Sequence, residues 1–84
     1  MTSDYQPIAC GLYDQIELLL MRGVEIEIQQ KSGAVTRTRA QNLSLKIQNG
    51  AENLCFLDKG TEICVRLDEI VRLTSEQDNV ELTN

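Results

Sequence analysis

The sequence predicts a mainly β domain with one N-terminal α-helix, its five or six short antiparallel strands closing into a small β-barrel. Three observations predict it. An apolar stripe of period 3.6 runs up to Gly23, the period changes to 2 immediately after it, and the later alternating segments are separated by glycine-bearing turns. The length of 84 residues suits a single domain over 1–84, read as a lead-in segment 1–10, a helix 11–22, a β-barrel 24–74 and a polar tail or edge strand 75–84.

In the helix, Leu12, Ile16, Leu19 and Leu20 fall on one side at i, i+4, i+7 and i+8, the stripe that packs on a core. Asp14, Glu17, Leu18 and Met21 fall on the other. Neither carboxylate has a lysine or arginine three or four positions away, so pairing along the helix does not account for them. Gly11 is the expected N-cap, which would put Asp14 in the first turn, where an acid suits the helix dipole. Arg22 followed by Gly23 is the expected stop. Leu18 and Met21, apolar and predicted to be exposed beside the acids, make this outer side a small mixed interaction face.

Val24, Ile26 and Ile28 then alternate with Glu25, Glu27 and Gln29, the pattern of a half-buried strand. A two-residue Ser32-Gly33 turn would set arginines against isoleucines in the partner strand. A three-residue loop, Lys31-Ser32-Gly33, instead pairs Ile28 with Thr36, Ile26 with Thr38, Glu27 with Arg37 and Glu25 with Arg39, and is the register predicted here. The chain bends or breaks near Gln41-Asn42 and continues through Leu43, Leu45 and Ile47 until Asn49-Gly50 ends the strand.

Asn53 to Asp58 and Thr61 to Leu67 form a second hairpin about a two-residue Lys59-Gly60 turn. Phe56 then meets Ile63, Leu54 meets Val65, and Cys55 lies opposite Cys64 at a spacing that a disulfide can span. With three cysteines in all, no CxxC spacing and no histidine, the expectation is reduced thiols packed side by side, with no structural metal. Leu67 to Ile70 reads as a tight turn before the strand Val71 to Leu73. The segment from Ser75 is polar and acidic, either disordered or a last edge strand at Val80-Leu82.

One helix capping such a meander points to an Sm-like or SH3-like barrel, because closure removes exposed edges. Its expected core is Leu12, Ile16, Leu19, Leu20, Val24, Ile26, Ile28, Leu54, Phe56, Ile63, Val65, Leu67 and Ile70.

Composition excludes several functions. Thirteen acids against eight bases give a net charge of −5, and before residue 30 five acids, Asp4, Asp14, Glu17, Glu25 and Glu27, face the single base Arg22. Such a surface repels nucleic-acid phosphate and attracts a basic protein. No cysteine has a basic neighbour to lower its pKa, no histidine is present, Asp14 and Glu17 are expected on a convex helix surface and no glycine-rich phosphate loop occurs, so no enzyme activity and no cofactor are expected. Three aromatic residues, Tyr5, Tyr13 and Phe56, and a sparse basic set of Arg37, Arg39 and Lys46 argue against direct nucleic-acid binding. The chain carries neither an apolar run of membrane-spanning length nor the order of a signal peptide, which predicts a cytoplasmic protein that does not engage membranes.

Tyr5-Gln6-Pro7-Ile8, Cys10, Tyr13-Asp14 and Glu17 together resemble the start of the Rof family, small bacterial proteins that bind transcription termination factor Rho and inhibit Rho-dependent termination. The Lys31-Ser32-Gly33 hairpin, Gln41-Asn42-Leu43 and Arg66-Leu67-Asp68-Glu69-Ile70 extend the likeness over residues 4 to 73, with a longer stretch from Ile47 to Glu52 as the main departure. The resemblance implies an Sm-like barrel that binds the N-terminal domain of Rho and competes with RNA at its primary RNA-binding site, causing antitermination. It also implies roles: Asp14 and Glu17 supply charge, Tyr13 an aromatic anchor, and Tyr5, Gln6 and Pro7 the lead-in. Met21 adds an apolar contact on the helix face, and Lys46, Gln48 and Asn49 extend the interface. A monomer is expected in isolation. The competing readings are a small RNA-binding Sm-like barrel and an Sm-like ring subunit, separated from the first by RNA binding without Rho and by mass.

Overall fold

The computed structural model describes residues 10–82. It consists of a helix α1 (Cys10–Arg22), strands β1 (Glu25–Gln30) and β2 (Val35–Arg39), a 3-10 turn at Ala40–Asn42, strands β3 (Leu43–Gln48), β4 (Ala51–Asp58) and β5 (Thr61–Arg66), a second 3-10 turn at Leu67–Glu69, and strands β6 (Ile70–Thr74) and β7 (Asn79–Glu81). The chain is mainly β with one N-terminal helix, as expected. The closed barrel of five or six strands is not what forms: seven strands make two antiparallel sheets, ordered β2-β1-β6-β7 and β3-β4-β5. The chain crosses between the sheets at the two 3-10 turns, where the backbone stops pairing for three residues, and this leaves the sheets hydrogen-bonded separately.

Backbone contacts tie these crossings down. The Ala40 N–H donates to the Val24 carbonyl at 2.9 Å, and the Lys31 N–H to the Glu69 carbonyl at 2.9 Å. Both hairpins adopt the registers argued from charge and turn chemistry. Ile28 faces Thr36, Ile26 faces Thr38, Glu27 faces Arg37 and Glu25 faces Arg39; Leu54 faces Val65 and Phe56 faces Ile63. Gly33 takes φ +97°, and the Gly33 N–H bonds the Gln30 carbonyl at 2.9 Å to close the three-residue loop. Asn49-Gly50 does more than end a strand. With φ of +53° and +76° it forms a tight turn that joins β3 to β4, and Lys59-Gly60 repeats the conformation between β4 and β5. This turn lengthens β4 back to Ala51, ahead of the expected Asn53.

Gly23 is required by packing. The Gly23 N–H closes the helix on the Leu19 carbonyl at 2.7 Å, and a Cβ at residue 23 would stand 2.7 Å from the Ile26 Cδ1 and 2.9 Å from the Leu19 oxygen. At the other end the helix starts at Cys10. Gly11 is therefore inside α1 instead of capping it, and Asp14 lies beyond the first turn, which contains no acid.

The core joins Ile16 and Leu19 of α1 with Ile26, Ile28, Leu54, Phe56, Leu67, Ile70 and Leu73, and Leu12, Leu20 and Val65 pack partly buried against it. Two expected members are absent. Val24 is 66% exposed because it precedes β1, in the bend after Gly23 where alternation no longer fixes the face, and Ile63 lies on the open edge strand β5. In their place Val80 and Leu82 are buried, so the polar tail is a core-forming edge strand, held by the Leu82 N–H donating to the Val71 carbonyl at 2.9 Å. The expectation of free thiols is also overturned: Cys55 and Cys64 are joined by a disulfide, with Cα atoms 4.0 Å apart. No helix among the described residues is long and apolar enough to cross a membrane.

Candidate interaction face

The outer side of α1 is set by the same residues that bury its inner side. Because Ile16 and Leu19 point into the core, the 100° spacing turns Asp14, Glu17, Leu18 and Met21 outward. Leu18 is 45% and Met21 80% exposed, and both carboxylates are exposed. Desolvating the two apolar side chains against a partner is favourable at roughly 25 cal/mol per Å2 of apolar surface.

Charge and apolar exposure together mark this face. Four acids outside α1 are matched: Glu27 with Arg37 at 2.9 Å, Glu81 with Arg72 at 2.7 Å, Glu62 with Lys46, and Asp68 with Arg66 through two bonds of 2.8 and 2.9 Å. Asp14 and Glu17 form no ion pair with any described residue. The expected Glu25–Arg39 rung faces across the hairpin without closing to an ion pair, so the β1/β2 charge ladder has one bonded rung, at Glu27. The Gln29 amide first, then the Arg37 guanidinium, holds the Glu27 carboxyl below the usual carboxylate range.

Tyr13 sits at the border between the two sides of the helix, half-buried against the core. Burial pushes its phenol above the ordinary value, and the negative charges of Glu17 and Glu52 push it further. That effect brings β4 into the picture. Glu52 faces Ile47 across the β3/β4 pair, and Ile47 is 72% exposed, so a carboxylate and an apolar side chain from the hairpin lie at the Tyr13 end of the helix. Neither stood out in the sequence. The signal available was Ile47 itself, an isoleucine two residues before the Asn49-Gly50 turn, where a strand side chain has little sheet left to cover it.

The remaining predicted residues divide clearly. Asn49 is exposed at the tip of the β3/β4 turn, followed by Gly50. Lys46 and Gln48 lie on β3, and the Lys46 ammonium reaches Glu62 on β5. Tyr5, Gln6 and Pro7 lie outside the described residues. Among the described residues no cluster of three metal-ligating side chains occurs, and the hollow between α1 and β7, lined by Gln15, Leu18, Arg22 and Asp78, is open to solvent and holds no nucleophile beside a base.

A model of the family described as Modulator of Rho-dependent transcription termination (ROF) matches residues 7–84. No curated protein sequence matches the chain.

Proposed function

Since the chain belongs to the ROF family, modulators of Rho-dependent transcription termination, we propose that it binds Rho through the outer face of α1 and competes with RNA for the primary RNA-binding site in Rho's N-terminal domain. The observation that carries this reading is a pair of unmatched acids set among exposed apolar side chains on one helix face. Four ion pairs serve acids outside α1, while Asp14 and Glu17 stand exposed and unpaired among the described residues, next to exposed Leu18 and Met21.

A surface that binds RNA phosphate must offer lysine and arginine. Carboxylates presented by a rigid helix engage the same cationic side chains, so occupancy by one excludes the other. Apolar contact from Met21 and Leu18 and the amphipathic ring of Tyr13 would add the desolvated anchor that charge alone does not provide. Asn49 with Ile47, at the β3/β4 turn, would extend the contact beyond the helix. Four of the eight basic residues support the same direction: Arg37, Lys46, Arg66 and Arg72 are engaged by carboxylates, which weakens the case for direct RNA binding. The acting form is a monomer in the cytoplasm.

The test is displacement of a labelled oligonucleotide from the primary site of Rho, with the oligonucleotide alone as control. Displacement that requires Rho, without retention of the oligonucleotide by the protein itself, is expected. Retention without Rho would replace this reading with direct RNA binding by this β domain, and undisturbed oligonucleotide on Rho would exclude competition.

A further inference from the structure

The disulfide between Cys55 and Cys64 joins directly opposed residues of β4 and β5. Counting outward from the Lys59-Gly60 turn, this is a non-hydrogen-bonded pair, the position where opposed Cα atoms come closest in an antiparallel ladder. Its two sulfurs belong to very different surroundings. Cys55 is on the central strand of β3-β4-β5 and is 1% exposed, whereas Cys64 is on β5, at the open edge of that sheet, and is only partly buried. The register explains the cover over Cys55. Lys46 stands opposite Asn53 and Glu62 opposite Leu57, so the Lys46–Glu62 ion pair reaches from β3 to β5 across β4 at the level of Cys55.

We propose that Cys55–Cys64 is a thiol–disulfide exchange site entered at Cys64, with a low-molecular-weight thiol of the glutathione class, and its disulfide, as co-reactants. In the oxidising direction the Cys64 thiolate attacks the small disulfide, forming a mixed disulfide on Cys64 and releasing one small thiolate. The Cys55 thiolate then attacks the Cys64 Sγ, forming the intramolecular bond and releasing the second. The two protein thiols lose two electrons and two protons, and the small disulfide becomes two thiols. Reduction runs the same steps backwards, with the small thiolate attacking the Cys64 sulfur, on the less buried of the two residues, and Cys55 leaving as thiolate. The backbone need not rearrange in either direction. Register on both sides of the pair is fixed by Leu54 with Val65, Phe56 with Ile63 and the Lys59-Gly60 turn, so the dithiol and the disulfide share one fold.

The experiment equilibrates the wild-type protein in glutathione buffers of stepped oxidised-to-reduced ratio, quenches with acid, and reads mass and peptide map so that Cys10 is counted apart. A reversible shift from a dithiol to a species lighter by two hydrogens, with unchanged far-ultraviolet circular dichroism, is expected. Cys55→Ser should accumulate glutathione on Cys64, and Cys64→Ser should leave Cys55 unmodified. If these variants do not fold, pulsed alkylation of the reduced wild-type protein without denaturant decides the entry point, with Cys64 labelled first. Thiols that persist in fully oxidised buffer, a bond that only denaturant allows to be reduced, or equal labelling at Cys55 and Cys64 would each overturn the proposal.

Discussion

Glu76 lies in the connection between β6 and β7, yet its carboxylate accepts the Val24 N–H at 2.8 Å and the Glu25 N–H at 3.4 Å, where the chain leaves the helix and enters β1. Its own N–H first, then that of Val24, holds the carboxyl below the usual carboxylate range. Because the folded value is the depressed one, this contribution to stability is fully present above the unfolded carboxylate range and is lost as pH falls through the folded value. Glu76→Gln is therefore expected to melt below wild type at neutral pH, with the gap closing on acidification. A gap of constant size across the titration would mean that the charge is not what Glu76 contributes. Asp14 and Glu17 are acids of a different kind, since no described residue pairs with them and their removal leaves no partner stranded. Charge reversal at Asp14 (Asp14→Lys) is expected to leave unfolding by urea nearly unchanged, within about 0.5 kcal/mol. The same change should weaken Rho binding by about 1–3 kcal/mol, measured by calorimetry. Unaltered affinity would take Asp14 out of the interface.

Among the elements, the hairpins were legible from sequence because two independent constraints agreed on one register. Glu25 and Glu27 had to meet Arg39 and Arg37 for Ile26 and Ile28 to meet threonines, and Gly33 allowed the loop that this needs. Helix α1 was legible in its faces but not in its first residue, since Gly11 suits an N-cap as well as an exposed interior position. Closure was misread because local pattern says where strands lie and not whether a bend between them keeps its ladder; the 3-10 turns at Ala40–Asn42 and Leu67–Glu69 break it. The last strand was the hardest to read, as three residues, Asn79 to Glu81, carry one apolar side chain. Its worth is in what it covers. Val80 faces Leu73, which is fully buried, and β7 packs under α1, so this strand seals the helix side of the core. Val80→Ala is expected to cost about 1–3 kcal/mol in urea unfolding, with the far-ultraviolet spectrum retained. A cost close to zero would show that β7 rests on the fold without completing its core.

At the scale of the whole molecule, charge is arranged differently on one sheet and on the helix. The outer side of β2-β1-β6-β7 alternates sign across neighbouring strands, with Arg37 against Glu27 and Arg72 against Glu81, so its field largely cancels beyond a few ångströms. The helix has Asp14 and Glu17 against Arg22 alone, and the chain as a whole carries −5. Asp14 and Glu17 therefore attract a basic partner toward the helix, which is steering by arrangement as well as by net charge. This has a measurable signature that distinguishes an electrostatic competitor from an apolar one. Raising salt from about 0.05 to about 0.3 M shortens the screening length from about 14 Å to about 6 Å, so binding to Rho should weaken steadily with salt. The double variant Asp14→Asn, Glu17→Gln should bind more weakly at low salt and show a flatter dependence, the two curves converging as salt rises. Parallel curves would mean that these carboxylates do not face the cationic surface of Rho, and that the salt dependence arises from acids elsewhere on the chain.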